Sequence, residues 1–324
     1  MRRLTFAVLA SLSLVAGLAA CGDTGKAAAP QTSASASAGT TTTSTTSTTS
    51  VARARPFTVT RRDIVVEDTS RPTAADPGRG LAEKPSRTLP VMLLTPTGDG
   101  PFPIMVFSHG VTGTGPAYQG FLEPIAAAGY VIIAPTFPLS SGAGGTIPDY
   151  VNQPADLFFA LDSVIKNATA PGDPLFNKLD VDHIALAGHS LGAMTTVGAA
   201  LNSCCSQARV DAAILLSGIE VAFPNGNFTN RTPVPLLLAH GTADTTLPVD
   251  GSDKLFAAAT GPTAFVKFPG GSHTGILAGD DGKLLQKAVV AWLDRWLRDD
   301  PSGFAALPAA IDTSGIASLT TKGL

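Results

Sequence analysis

Residues 184–192 read Ile184-Ala185-Leu186-Ala187-Gly188-His189-Ser190-Leu191-Gly192, and residues 193–201 continue Ala-Met-Thr-Thr-Val-Gly-Ala-Ala-Leu. Four apolar residues in a row suit a strand buried on both faces of a parallel sheet. The Ala/Leu-rich run after Ser190 suits a helix. Between them lies a G-x-S-x-G turn, Gly188 to Gly192. A serine at the centre of so sharp a turn is held in a strained conformation, and a glycine two residues to either side lets strand and helix approach without Cβ clashes. The turn lifts the hydroxyl above the sheet, and the helix N-terminus beside it favours developing negative charge. Ser190 is therefore the candidate nucleophile. The pentapeptide alone recurs by chance; its setting between strand and helix gives it weight.

A serine hydroxyl attacks well only when a base takes its proton. In this type of sheet an acid and then a histidine should follow the nucleophile, each at the end of a later strand. Pro235-Leu236-Leu237-Leu238-Ala239-His240-Gly241-Thr242-Ala243-Asp244 runs from a buried strand into a turn that ends in a carboxylate. Phe265-Val266-Lys267-Phe268-Pro269-Gly270-Gly271-Ser272-His273 is the next strand, with its Gly-rich loop. Asp244 is the candidate acid and His273 the candidate base. Asp250 and Asp253 lie further on and fit the start of a helix near Ser252. His240 fits structural hydrogen bonding, His183 lies at the opposite edge of the sheet, and the ring of His189 should point away from the base position. An oxyanion needs two preorganised donors. The amide of Leu191 is one candidate, and that of Val111, in the bend after Phe107-Ser108-His109-Gly110, is the other.

Strand and helix signals alternate outward from this centre. Phe57–Val66 and Thr88–Thr95 read as an antiparallel opening pair. Ile104–Ser108, Val131–Pro135, Ile184–Ala187, Ala212–Ser217, Leu236–Ala239 and Ala264–Phe268 read as core strands. Helices are expected over Tyr118–Ala128, Ala155–Lys166, Leu191–Leu201, Ser252–Ala259 and Lys283–Arg298. The last carries an apolar stripe that includes Trp292 and Trp296, which reads as core packing. The alternation predicts a mostly parallel, eight-stranded α/β sheet flanked by helices, in one domain over about 56–300. Residues 301–324, small and polar, are expected to form a loose tail.

The ends and the composition add context. Residues 1–20 combine a basic start with an apolar run too short for a convincing span, as in an export signal. Leu18-Ala19-Ala20-Cys21 resembles the lipobox of bacterial lipoproteins, which implies a lipid on the Cys21 thiol and attachment to the outer side of a membrane. Residues 21–55, almost pure Thr and Ser over 40–50, have little to bury and read as a disordered tether. Lys and Arg number 22 against 25 Asp and Glu, a formal charge of −3, so no basic stripe marks a nucleic-acid partner. The remaining two of the three cysteines, Cys204 and Cys205, are adjacent, with a strained ring and two free thiols as alternatives. No metal constellation or cofactor fingerprint is present, and the candidate residues require none. The sequence does not give the oligomeric state.

The order His109-Gly110, Gly188-His189-Ser190-Leu191-Gly192, Gly241-Thr242-Ala243-Asp244 and Gly271-Ser272-His273 resembles the α/β-hydrolase superfamily over nearly all of residues 88–298. Within it the chain is most similar to platelet-activating-factor acetylhydrolases, chlorophyllases, dienelactone-hydrolase relatives and cutinase-like polyester hydrolases. That resemblance implies a Ser190–His273–Asp244 triad, oxyanion amides at Val111 and Leu191, and cleavage of a small-molecule or lipid-like carboxylic ester. Two departures stand out: polyester hydrolases carry an aromatic where this chain has Val111, and dienelactone hydrolases a cysteine where it has Ser190. Only about fifteen residues separate the sixth strand from Pro233, room for a loop but not a helical lid. Phe223 and Phe228 in it are candidates either to line the cleft or to pack. An amidase or peptidase with the same triad, and a non-catalytic surface-binding lipoprotein, are the alternative readings.

Overall fold

The computed structural model describes residues 56–228 and 233–324. The proposed signal and tether, with Cys21, lie outside the described residues. The chain runs β1 (Val59–Asp68), β2 (Arg87–Pro96), β3 (Phe102–Ser108), α1 (Gln119–Ala127), β4 (Val131–Pro135), α2 (Gln153–Asn167), β5 (Leu179–His189), α3 (Leu191–Leu201) and β6 (Ala212–Leu216). It continues through β7 (Leu236–Gly241), α4 (Asp250–Ala258), β8 (Thr263–Phe268), α5 (Gly279–Leu297), α6 (Ser302–Ser314) and β9 (Ser318–Lys322).

Among the described residues one sheet holds all nine strands in the order β1-β2-β4-β3-β5-β6-β7-β8-β9. Six consecutive strands, β4 to β8 in that order, are parallel, while β1, β2 and β9 attach antiparallel at the edges. The inner strands are apolar throughout because helices cover both faces. On one face α1, α5 and α6 bury Phe121, Ile125, Leu285, Trp292 and Phe304. On the other α2 and α3 bury Leu157, Leu161, Val197 and Leu201.

The expected eight strands become nine, and the expected loose tail is ordered. Helix α6 buries Phe304, Leu307 and Ile311, and β9 then pairs with β8 from Thr263↔Lys322 to Lys267↔Ser318. The apolar residues of 301–324 recur at helical spacing, Phe304, Leu307 and Ile311, a pattern masked by the surrounding alanines and serines. Covering the β8 edge also removes an exposed row of unpaired backbone groups. The folded body therefore runs on to the end of the chain.

A buried ionic cluster that periodicity does not reveal fixes the start of the body. Arg87 on β2 is 1% exposed and donates to Asp156 on α2 (2.6 and 2.7 Å) and to Asp149 (2.7 and 3.2 Å). Arg71 joins Asp156 to Asp68 at 2.7 Å each. With both partners present the charges are compensated; removing one would leave a buried charge alone, which typically costs about 3–5 kcal/mol. Cys204 and Cys205, left open by the sequence, are joined by a disulfide.

Candidate active site

The site forms where β5 turns into α3. A Cβ on residue 188 would lie 2.1 Å from the carbonyl oxygen of Gly192, and one on residue 192 would lie 1.9 Å from that of Ser108. Only glycine fits either position. The closeness of strand and helix forces Ser190 to φ 56°, ψ −122°, a left-handed backbone that few non-glycine residues adopt. Its amide donates to the Leu216 carbonyl on β6 at 2.9 Å, which anchors the turn to the sheet.

The structure brings the three candidate residues together in one line. Ser190 Oγ lies 2.8 Å from His273 Nε2, and His273 Nδ1 lies 2.6 Å from Asp244 Oδ2. Asp244 sits in the turn after β7 and His273 in the loop after β8. These are neighbouring parallel strands, so their C-terminal loops emerge side by side. Asp244 Oδ1 accepts the amides of Thr246 (2.8 Å) and Leu247 (2.9 Å). Burial alone would raise its carboxyl pKa, but the His273 imidazole and these two amides outweigh it and hold the group below the ordinary value.

His240 is held by hydrogen bonds, one of them to Asp244 itself. Its Nε2–H is shared between Asp244 Oδ2 (3.0 Å) and the Leu247 carbonyl (2.8 Å), while Nδ1 meets the Ser252 hydroxyl at 2.7 Å. Asp250 and Asp253 lie in the first turn of α4 but make no capping hydrogen bond; they pair with Lys254 (3.2 Å) and Lys267 (2.6 Å). His183 pairs with Asp180 at the far end of β5.

His189 departs from expectation. Its ring does not point away from the base but packs against it, centroid to centroid 4.9 Å. The reason is a second chain of hydrogen bonds, in which Tyr118, unmarked by any motif, links Gly110 to His189. The Gly110 amide donates to Tyr118 Oη (3.1 Å), Tyr118 Oη meets His189 Nδ1 (2.8 Å), and His189 Nε2 meets the His273 carbonyl (2.9 Å). A carbonyl can only accept, so Nε2 carries the imidazole proton and Nδ1 accepts from the tyrosine hydroxyl. The chain thus ties the loop after β3 to the loop carrying His273. His109 braces the first of these: Nδ1–H donates to the Gly110 carbonyl (2.7 Å) and Nε2 accepts the Phe137 amide (3.0 Å).

Ser190, His273, Val111 and Tyr118 line a cavity of about 690 Å³. Phe223 and Phe228 do not reach it. Phe223 is buried against Tyr150 and Gly198, and Phe228 packs on the core beside Asn202.

A serine–histidine–carboxylate line at a strand–helix turn, over a mainly parallel sheet covered on both faces, is the arrangement of the α/β-hydrolase class. A family model described as chlorophyllase matches residues 71–242, more than half of the chain. The chain belongs to that family, which lies within the α/β-hydrolase superfamily. It is also 33% identical over 67 residues to the uncharacterized protein YfhR of Salmonella typhimurium and to that of Salmonella typhi. The match covers 21% of this chain and 23% of the length of those curated relatives.

Two predictions follow from the buried histidines. Burial pushes the pKa of both His109 and His189 down to about 4, against the opposing effect of the carbonyls they meet. An unfolded chain protonates the same rings near 6.5. Folded pKa values below unfolded ones mean that stability is lost as pH falls from about 6.5 towards 4. The urea midpoint should therefore drop steeply between pH 7 and pH 4.5; a flat profile would show that neither ring is held neutral. Tyr118→Phe keeps the ring but leaves the Gly110 amide and His189 Nδ1 without their partner. Unfolding titrations should show a loss of about 1–3 kcal/mol, and a loss under 0.5 would mean that solvent replaces the hydroxyl.

Proposed function

We propose that this protein is a serine carboxylic-ester hydrolase. The observation that carries the reading is the unbroken line Ser190 Oγ–His273 Nε2, His273 Nδ1–Asp244 Oδ2, with Ser190 at the N-terminus of α3. Ser190 Oγ attacks the ester carbonyl as its proton passes to His273 Nε2. Asp244 fixes the tautomer with Nδ1 protonated and stabilises the imidazolium. The tetrahedral intermediate collapses, and His273 protonates the departing alkoxide. A water, deprotonated by His273, then releases the acid and regenerates the serine.

The oxyanion falls to the amides of Leu191 and Val111. Leu191 is the first residue of α3, where the amide has no carbonyl one turn back to bond. The loop after β3 favours Val111 by elimination among its neighbours. The Gly110 amide is committed to Tyr118 and the Thr112 amide to the Ser140 carbonyl (2.6 Å). The amide between them is left for substrate. Membership of the chlorophyllase family supports ester cleavage. The cavity over Ser190, with no helical lid over it among the described residues, supports a small-molecule or lipid-like substrate.

Ser190→Ala should abolish turnover of p-nitrophenyl esters without loss of fold. Asp244→Asn should lower turnover on the order of 10⁴, as when the equivalent acid of a serine protease becomes asparagine. Asp250→Asn and Asp253→Asn should cost under about tenfold, because both pair at the surface of α4. A crippled Asp250→Asn beside a mild Asp244→Asn would overturn the acid assignment.

We propose further that the enzyme is exported and held at the outer side of a membrane by lipid on Cys21, on the strength of Leu18-Ala19-Ala20-Cys21. Two or more acyl chains would make a stable anchor. A fatty-acid analogue fed to the native host should label the wild type and not Cys21→Ser. Equal labelling of both would exclude the anchor.

A further inference from the structure

Helix α2 packs Leu157, Leu161 and Val164 into the core, and its Asp156 is gripped by Arg87 of β2. One turn earlier, where α2 begins, Gln153 is fully buried as well. A primary amide in such a place is costly unless both its ends are bonded. Here both ends are bonded. Gln153 Nε2 donates to Ser140 Oγ (2.7 Å), and Gln153 Oε1 accepts from the Thr195 hydroxyl. Ser140 lies in the loop after β4 and Thr195 on α3, one turn past Leu191; both are as deeply buried as Gln153. None of the three is among the described residues that line the cavity over Ser190, so none touches a substrate seated there.

Each end of this bridge meets the oxyanion amides from behind. The Thr195 hydroxyl has one hydrogen, shared between Gln153 Oε1 and the Leu191 carbonyl (3.1 Å). Leu191 carries one of the two amides. At the other end the Ser140 carbonyl accepts the Thr112 amide (2.6 Å), and the Gly142 amide donates back to the Thr112 carbonyl (3.2 Å). Thr112 follows Val111, which carries the second amide. Its φ of 63° lies in the left-handed region, which a β-branched residue rarely adopts and keeps only where neighbours hold it. Residues 140–142 supply that hold. Leu191, Thr195, Gln153, Ser140 and Thr112 thus form one continuous path between the two donors.

An apolar side chain of the same length would fill this space without fixing a distance. Hydrogen bonds have set lengths and directions, and a bonded network in the interior holds one arrangement. Arg79 braces the same loop, donating to the carbonyls of Leu139 (3.0 Å) and Ser141 (3.2 Å), but its remaining hydrogen bond runs to Asp76, three residues away. Arg79 steadies the loop, whereas Gln153 ties the loop to α3.

We infer that Gln153 is a positioning residue of the oxyanion hole, setting the spacing of the Leu191 and Val111 amides without touching the reacting atoms. The inference rests on the esterase reading above. The test compares Gln153→Met, which keeps the length and loses both hydrogen bonds, with Tyr130→Phe. The latter removes a buried hydroxyl that donates to Asp294 (2.6 Å) at the start of β4, on the other face of the sheet. Each variant is assayed for kcat and KM with p-nitrophenyl butanoate, for affinity towards propyl trifluoromethyl ketone, and for its urea midpoint. Ser190 Oγ adds to the ketone carbonyl and leaves a tetrahedral oxyanion, so that affinity reports the hole itself. Gln153→Met should lower kcat at least about tenfold, short of the roughly 10²–10³ that loss of a whole donor costs, and weaken the ketone by a matching factor. KM should change by less than about threefold, since the lost interaction belongs to the transition state.

Thr195→Val and Ser140→Ala, which cut the path at either end, should show the same split. Gln153→Met combined with Thr195→Val should be little worse than Gln153→Met alone, because the two residues act as one unit. The two end cuts decide the outcome should Gln153→Met fail to fold. Tyr130→Phe should lower the urea midpoint and leave kcat and ketone affinity unchanged. Turnover and ketone affinity within about twofold of wild type in all three cuts, a rise in KM alone, or an equal loss in Tyr130→Phe would overturn the assignment. A wild type that neither turns over the butanoate nor reacts at Ser190 with a fluorophosphonate would instead overturn the esterase reading, and the inference with it.

Discussion

The close approach of α3 to β5 and to the end of β3, with glycine at 188 and 192, is the constraint from which the rest of the site follows. No side chain fits at either position. Packing this tight holds Ser190 in a left-handed backbone that an isolated peptide would rarely visit, and the surrounding sheet and helix stabilise it there. Once the hydroxyl is fixed above the sheet, the parallel order β5-β6-β7-β8 decides where partners can come from. A carboxylate and an imidazole that line up with it must stand on loops at the same ends of later strands. The chain supplies Asp244 after β7 and His273 after β8.

Around this line stand three further imidazoles, those of His109, His189 and His240. His109 and His189 are buried, their protons placed by carbonyls that can only accept, and each holds one loop of the site. His240 shares Asp244 with His273. In the proposed mechanism only one histidine changes charge, and it is the only one of these four bonded to Ser190. The others preorganise, which places donors before the reaction rather than during it. Tyr118 links the two loops, so the positions of the Val111 amide and of His273 are mechanically coupled.

Much of this was legible in the sequence because the decisive residues are local. Gly188 to Gly192 is a contiguous motif, and Asp244 and His273 each end a recognisable buried strand. The features that escaped depend on contacts between distant residues or on weak local patterns. Tyr118 meets His189 across 71 positions, and Arg87 meets Asp156 across 69. Neither spacing repeats in any motif. The ordered end of the chain escaped because Phe304, Leu307 and Ile311 are diluted by alanine and serine, and because β9 is a short edge strand with little apolar signal. The two phenylalanines at 223 and 228 left cleft and core equally open, and tertiary packing chose the core.

The central claim is that the geometry at residue 190 makes that one hydroxyl a nucleophile among the many serines of the chain. Its most direct measurement is reaction with a fluorophosphonate followed by peptide mapping of the adduct by mass spectrometry. The account predicts a single phosphonylated serine, Ser190, with the label greatly slowed by His273→Ala in a folded protein. No adduct, an adduct on another serine such as Ser217 or Ser272, or labelling indifferent to His273 would contradict it.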